Sequence, residues 1–237
     1  MDLTKWRLKK SFLSRAISEQ SFYLALLCQV LMIGVSLLDW ARAIPNKSHF
    51  SASWIDVFGH HEYYRIFTAA FAHASWDHVL GNSIFFVPFG ALLANYFGVA
   101  VFPLMTFLVG ALINLLVISL YPAEASVLGV SGIVYFMVAF WLVLYIGIER
   151  GMTMRQKVIR SLGLALVEFM PEKFDANISY LSHLIGFLLG IVLGLSYFLY
   201  RRNEFRLAEV WELREPIEES DSIDELFERL DDSNVQH

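Results

Sequence analysis

Six stretches of this chain are long and apolar enough to cross a lipid bilayer, or nearly so. They lie at about 21–40, 77–97, 101–121, 130–147, 158–170 and 180–200. Roughly 20 apolar residues in a helix span a hydrocarbon core of about 30 Å. In lipid an unpaired backbone amide costs several kcal/mol, so runs of this kind become helices. The expected fold is an all-α polytopic membrane protein, a bundle of six transmembrane helices. Composition agrees, at 57% hydrophobic and 17% charged, against about 45–50% and about 25% in soluble domains. The fifth run is the shortest, contains Gly163 and ends at Pro171.

The polar residues between the runs orient them. Lys5, Arg7, Lys9, Lys10 and Arg15 precede the first run. That run is too long for a signal-peptide core and lacks a small-residue cleavage site after it, so it is expected to be retained. Arg150, Arg155, Lys157 and Arg160 surround the fourth connection, and Arg201 and Arg202 follow the sixth run. The third connection has no basic residue, and the fifth has only Lys173. By the positive-inside rule both termini and the fourth connection are expected in the cytoplasm. Three regions follow: a basic N-terminal segment, 1–20; a membrane domain, 21–202; and an acidic cytoplasmic tail, 203–237. In the tail Ser222 and Glu225 have capping-box spacing, and Ile223, Leu226, Phe227 and Leu230 share a helical face, so a short amphipathic helix or, more readily, a solvated arm is expected. The formal charge of −5 reflects this tail.

Several function classes are disfavoured. No basic, aromatic-interleaved patch suggests nucleic acid. The single cysteine, Cys28, permits neither an intramolecular disulfide nor a paired-cysteine metal site. His60, His61, His73 and His78 have no zinc-helix spacing. No metal and no cofactor are expected.

The tetrapeptide Gly129-Val130-Ser131-Gly132 opens the fourth run. Alone it reads more readily as a close helix contact, since small residues are common at such interfaces. Yet Ser131 falls in a first helical turn, where amides lack intrahelical partners and can stabilise an oxyanion. His183, at the start of the sixth run, alters the balance, because a histidine in an apolar span is a functional candidate. Gly186, Gly190 and Gly194 lie below it on nearly one face, which lets a neighbouring helix approach. If that neighbour is the fourth span, His183 reaches Ser131 and can act as its base. His78 and Asn82, four apart, share a face and offer two donors to one oxygen. The topology puts Ser131, His183 and His78 at matching, external depth. Asn95 and Asn114 read as interhelical hydrogen bonders, and Glu168 as an interfacial charge.

Taken together these motifs resemble the rhomboid family of intramembrane serine proteases. The matching features are His73, His78 and Asn82 at the second span, Gly129, Ser131 and Gly132 at the fourth, Tyr135 one turn on, and His183, Gly186 and Gly190 at the sixth. The resemblance covers roughly residues 6–202. It implies Ser131 as nucleophile and His183 as general base, with no third acid. It implies an oxyanion hole of His78, Asn82 and the Ser131 amide, and Tyr135 as the aromatic that orients His183. Tyr64-Arg65 is similar to the family's Trp-Arg signature in the first loop, with tyrosine in place of tryptophan. The substrates implied are single-span membrane proteins, cut after a small residue within the bilayer. The expected setting is a bacterial inner membrane. Two other readings use the same polar residues: a catalytically silent relative that binds transmembrane clients, and a solute or metal transporter. The short fifth span with Met170, Pro171 and Phe174 is the expected lateral gate.

Overall fold

A computed structural model describes residues 6–42, 48–160 and 179–213. The long helices are α1 (Glu19–Arg42), α3 (Trp76–Phe97), α4 (Thr106–Leu120), α5 (Ser131–Ile148) and α6 (Tyr180–Leu207), with a single-turn helix α2 (Arg65–Thr68) in the first connection. A wide helical turn at Ala100–Met105 leads into α4. Five stretches among the described residues are long and apolar enough to cross a membrane: Glu19–Ala41, Trp76–Phe97, Ala100–Leu120, Ser131–Ile148 and Tyr180–Leu207. The protein is a multi-pass helical membrane protein. Of the expected fifth run only 158–160 are described, and they are helical. Glu168, the gate residues and the tail helix lie outside the described residues.

Local chemistry sets the helix ends. The Ser75 side chain accepts from the His78 N–H and caps α3, with Asp77 in the first turn; negative charge there suits the helix dipole. At the other end of α3 the chain leaves the helix at Gly98, φ 79°, a left-handed angle that glycine adopts freely. Pro122 follows the end of α4 and cannot extend it.

Helix α5 is the centre of the bundle. Phe136, Met137, Phe140 and Leu144 on it are completely buried. It touches α3, α4 and α6, whereas α1 packs on α3 at the periphery. The closest pairing is α5 with α6, and the glycines of α6 explain it. A Cβ at Gly186 would run into the Gly132 carbonyl oxygen, and one at Gly190 would lie 2.5 Å from Phe136 O. One at Gly194 would lie 3.1 Å from Val143 Cβ. The glycine face of α6 thus packs on α5, the fourth apolar run.

The end of the bundle remote from Ser131 is closed by two strands that the apolar pattern does not predict. β1 (Trp6–Lys10) and β2 (Val210–Leu213) pair antiparallel, with Leu8 opposite Trp211. Arg7 and Lys9 both reach Glu212, at 2.5 and 2.7 Å. Glu209 takes Arg206 at 2.7 Å and Arg150 at 3.2 Å. α6 thus runs through residue 202, the expected edge of the membrane domain, and leads into β2 two residues beyond its end.

Two asparagines are placed more specifically than expected. Asn95 serves the segment before α1 rather than another span. Its Oδ1 accepts from Ser18 N–H at 3.1 Å, its Nδ2 donates to Ala16 O at 3.3 Å, and the Arg15 guanidinium donates to its carbonyl. Asn114 of α4 donates to Ile66 O of α2 at 2.9 Å, tying a span to the first connection.

Candidate active site

Ser131 is the first residue of α5. Among the described residues no side chain caps this helix start, which leaves its first-turn amides without the usual competitor there. His183 sits in the first turn of α6, whose Ser179 side chain caps the helix through Ser182 N. The glycine contact between α5 and α6 brings these two helix starts together. His183 Nε2 lies 2.9 Å from Ser131 Oγ. The Tyr135 ring stacks on the His183 imidazole at 4.2 Å between centroids and 10° between planes. Tyr180 adds an edge contact at 6.2 Å.

The turn before Ser131 is built for close approach. Gly129 has φ 106°, and a Cβ there would lie 2.8 Å from His78 Cε1 and 3.7 Å from His73 Cδ2. Both histidines of α3 and its preceding loop therefore face the turn, with ring centroids 5.1 Å apart. Gly129 N–H donates to Ala69 O at 2.8 Å. Val130 N–H points at His73 Nε2, 3.4 Å away. Asn82 donates one amide hydrogen to His78 O at 2.9 Å. Burial, with His78 close by, holds the His73 imidazole down at about 4. A small cavity beside Ser131 is lined by Gly110, Asn114, Val127, Gly129, Gly132 and Ser182.

The first connection supports this turn from outside. Arg65 is buried and pairs with Glu62 at 2.5 Å. It donates to Ser51 O at 2.9 Å and Ser48 O at 3.3 Å. The same loop forms a bridge from Ala52 to Val127, two residues before Gly129. Tyr64, beside Arg65, is exposed and lies under its guanidinium.

Of the residues singled out by sequence, Ser131, His183, Tyr135, Gly132, Gly186 and Gly190 converge at the α5–α6 contact. His73, His78 and Gly129 meet at the turn, Asn82 lies one turn behind His78, and Arg65 stands behind the loop. Ser36, Trp40 and Ala69 were not foreseen. Their contacts depend on how α1 and the first loop register against α3, which no local motif records. Among the described residues one further group, Asp56, His60 and Glu62, brings three metal-ligand types together. Glu62 there is engaged by Arg65 and Asp56 by Ser53.

A serine at a helix start, 2.9 Å from a histidine, sits within a bundle whose long apolar helices define a class: multi-pass helical membrane proteins. The family comparison is specific within that class. The Rhomboid domain model matches residues 60–200, more than half of the 237 residues, and the chain belongs to the Rhomboid family. That family includes serine proteases that act on transmembrane substrates in the bilayer. Curated proteins give no match to the sequence.

Proposed function

We propose that the protein is an intramembrane serine endopeptidase that cleaves transmembrane segments with a Ser131–His183 dyad. The 2.9 Å contact between Ser131 Oγ and His183 Nε2 carries this reading. His183 takes the hydroxyl proton as Ser131 Oγ attacks the scissile carbonyl carbon. The carbonyl oxygen becomes an oxyanion, which the Ser131 amide, His78 and Asn82 stabilise. The tetrahedral centre collapses to an acyl-enzyme as the amine leaves with the proton from His183. Water, deprotonated by His183, then releases the new carboxyl terminus. Tyr135 keeps the imidazole plane aligned through these transfers.

A substrate helix keeps its own amides paired, so it must unwind locally before its backbone can reach Ser131. The cavity beside Ser131 is small and partly glycine-lined, which suits a small residue before the cut. By the positive-inside rule both termini, and the strand pair with them, lie on the cytoplasmic side in this reading. Ser131 then works near the external face of a bacterial inner membrane, on single-span proteins.

The test is a fluorophosphonate probe on the purified protein, with cleavage of a co-reconstituted single-span substrate alongside. Wild type is expected to label and cleave. Ser131→Ala and His183→Ala are expected to do neither while keeping the wild-type unfolding profile. A well-folded wild type that binds transmembrane segments but never labels is the outcome that sinks the assignment, in favour of a silent client-binding relative.

A further inference from the structure

Helix α1 carries none of the residues assigned to the reaction, yet one of its side chains is a single residue away from the reactive turn. Ser36 and His73 are both completely buried. Ser36 Oγ lies 3.3 Å from His73 Nδ1. Its own hydrogen is directed to Met32 O at 2.9 Å, with Phe71 O at 3.2 Å. On the far side of the ring, Nε2 accepts from Val130 N–H. Trp40, one turn further along α1, donates to the His73 carbonyl at 2.7 Å.

These contacts fix where the ring proton sits. A nitrogen that accepts from an amide carries no hydrogen, so neutral His73 carries its proton on Nδ1. Ser36 Oγ faces it at 3.3 Å, and the Phe71 carbonyl is a second acceptor for the ring. The direction of donation therefore runs from Val130 N–H to His73, from His73 to Ser36, and from Ser36 to the backbone of α1. A buried ring that loses Ser36 keeps only the Phe71 carbonyl for its Nδ1 proton and no longer has a partner on α1. Its other tautomer would aim Nε2–H at the Val130 N–H.

We propose that Ser36 is a positioning residue that acts through His73 to hold the Gly129–Val130 peptide and so aim Ser131 at His183. This rests on the reading of Ser131 and His183 as the reacting pair. The need for such a hold follows from Gly129. A glycine at φ 106° has little conformational preference of its own, and Val130 begins α5 without a side-chain cap. Ala69 O holds one amide of the turn, and His73 holds the next. Without the second hold, the plane that carries Val130 N–H can swing, and Ser131 swings with it.

The experiment compares wild type, Ser36→Ala and, as a control, Ser196→Ala in the full-length reconstituted protein. Among the described residues Ser196 bonds to its own helix, at Val192 O, 2.8 Å. Three quantities are read: the fluorophosphonate labelling rate, kcat and KM on a transmembrane substrate, and hydrogen exchange at the Val130 amide. Ser36→Ala is expected to lower the labelling rate and kcat about tenfold, the worth of one buried hydrogen bond. KM is expected to be unchanged and Val130 exchange about tenfold faster, while Ser196→Ala matches wild type. Wild-type labelling and exchange in Ser36→Ala overturns the inference, as does a loss carried wholly by KM. A wild type that neither labels nor cleaves overturns the proposed function instead, and the exchange comparison still decides the role of Ser36.

Discussion

The carboxamide of Asn82 has two hydrogens, and one is committed to the His78 carbonyl at 2.9 Å. In the proposed reaction the other is the one offered to a developing oxyanion. Asn82→Ala is expected to lower kcat by about 10²–10³, the usual cost of one such donor, while fluorophosphonate labelling persists at a reduced rate. A loss as complete as that of Ser131→Ala in a folded protein would contradict a supporting role. His73 makes a second prediction, about pH. Its folded-state value is about 4, against 6.5 for a free histidine. As pH falls from about 6.5 the unfolded chain takes up a proton that folded His73 refuses, so stability is lost between roughly 6.5 and 4. Below 4 this group adds no further loss. The apparent unfolding temperature of wild type should fall across that window, and that of a folded His73→Gln variant should fall less. At this scale the sequence was informative where partners share one helix turn, as with His78 and Asn82 or Ser131 and Tyr135. It was silent on Ser36, because a serine in an apolar run ordinarily bonds its own helix. Only the register of α1 against α3 brings His73 to it.

Between elements the α5–α6 contact is the sensitive one. At Gly186 an added methyl would meet the backbone carbonyl of Gly132, and backbone cannot rotate aside as a side chain can. Gly186→Ala is expected to cost about 1–3 kcal/mol, the range for overpacking, and to separate Ser131 from His183. At Gly34 of α1 no atom of the described residues lies within 4 Å of the same methyl. Gly34→Ala is expected to be neutral or to stabilise by up to about 1 kcal/mol through helix propensity. Thermal unfolding with parallel activity assays checks both. Equal behaviour of the two variants would mean that the glycine face is not what seats α6. The glycine face of α6 was legible as a spacing, and the matching depth of Ser131 and His183 made the fourth span one candidate neighbour. The distinct job of Asn95 was not legible, because its partners lie in a segment without apolar pattern, where Ser18 and Ala16 supply backbone groups.

In the whole molecule the unforeseen feature is the pairing of β1 with β2. Each strand has only four or five residues, too few for alternation to register, and Arg7 and Glu212 are 205 residues apart. The acidic stretch after the last span read as a solvated arm, although its first residues bring Glu209 and Glu212 to fixed basic partners. Lys9 and Arg7 hold the Glu212 carboxyl below the ordinary value. Such exposed pairs contribute little each, so the backbone ladder is the better target. Leu8→Pro interrupts the ladder opposite Trp211, since proline cannot donate to it. Limited trypsin digestion at Lys9 and Lys10 is expected to speed up at least several-fold in Leu8→Pro. An unchanged digestion rate would show that the pairing does not protect the terminus.

The strand pair also sets an order of events. During synthesis β1 emerges long before β2, and its partner does not exist until α6 has been made. Bringing the two together closes a loop of some two hundred residues, which random encounter achieves poorly unless the helices between have already assembled. The ladder therefore zips last, and its formation is a molecular record that insertion has finished.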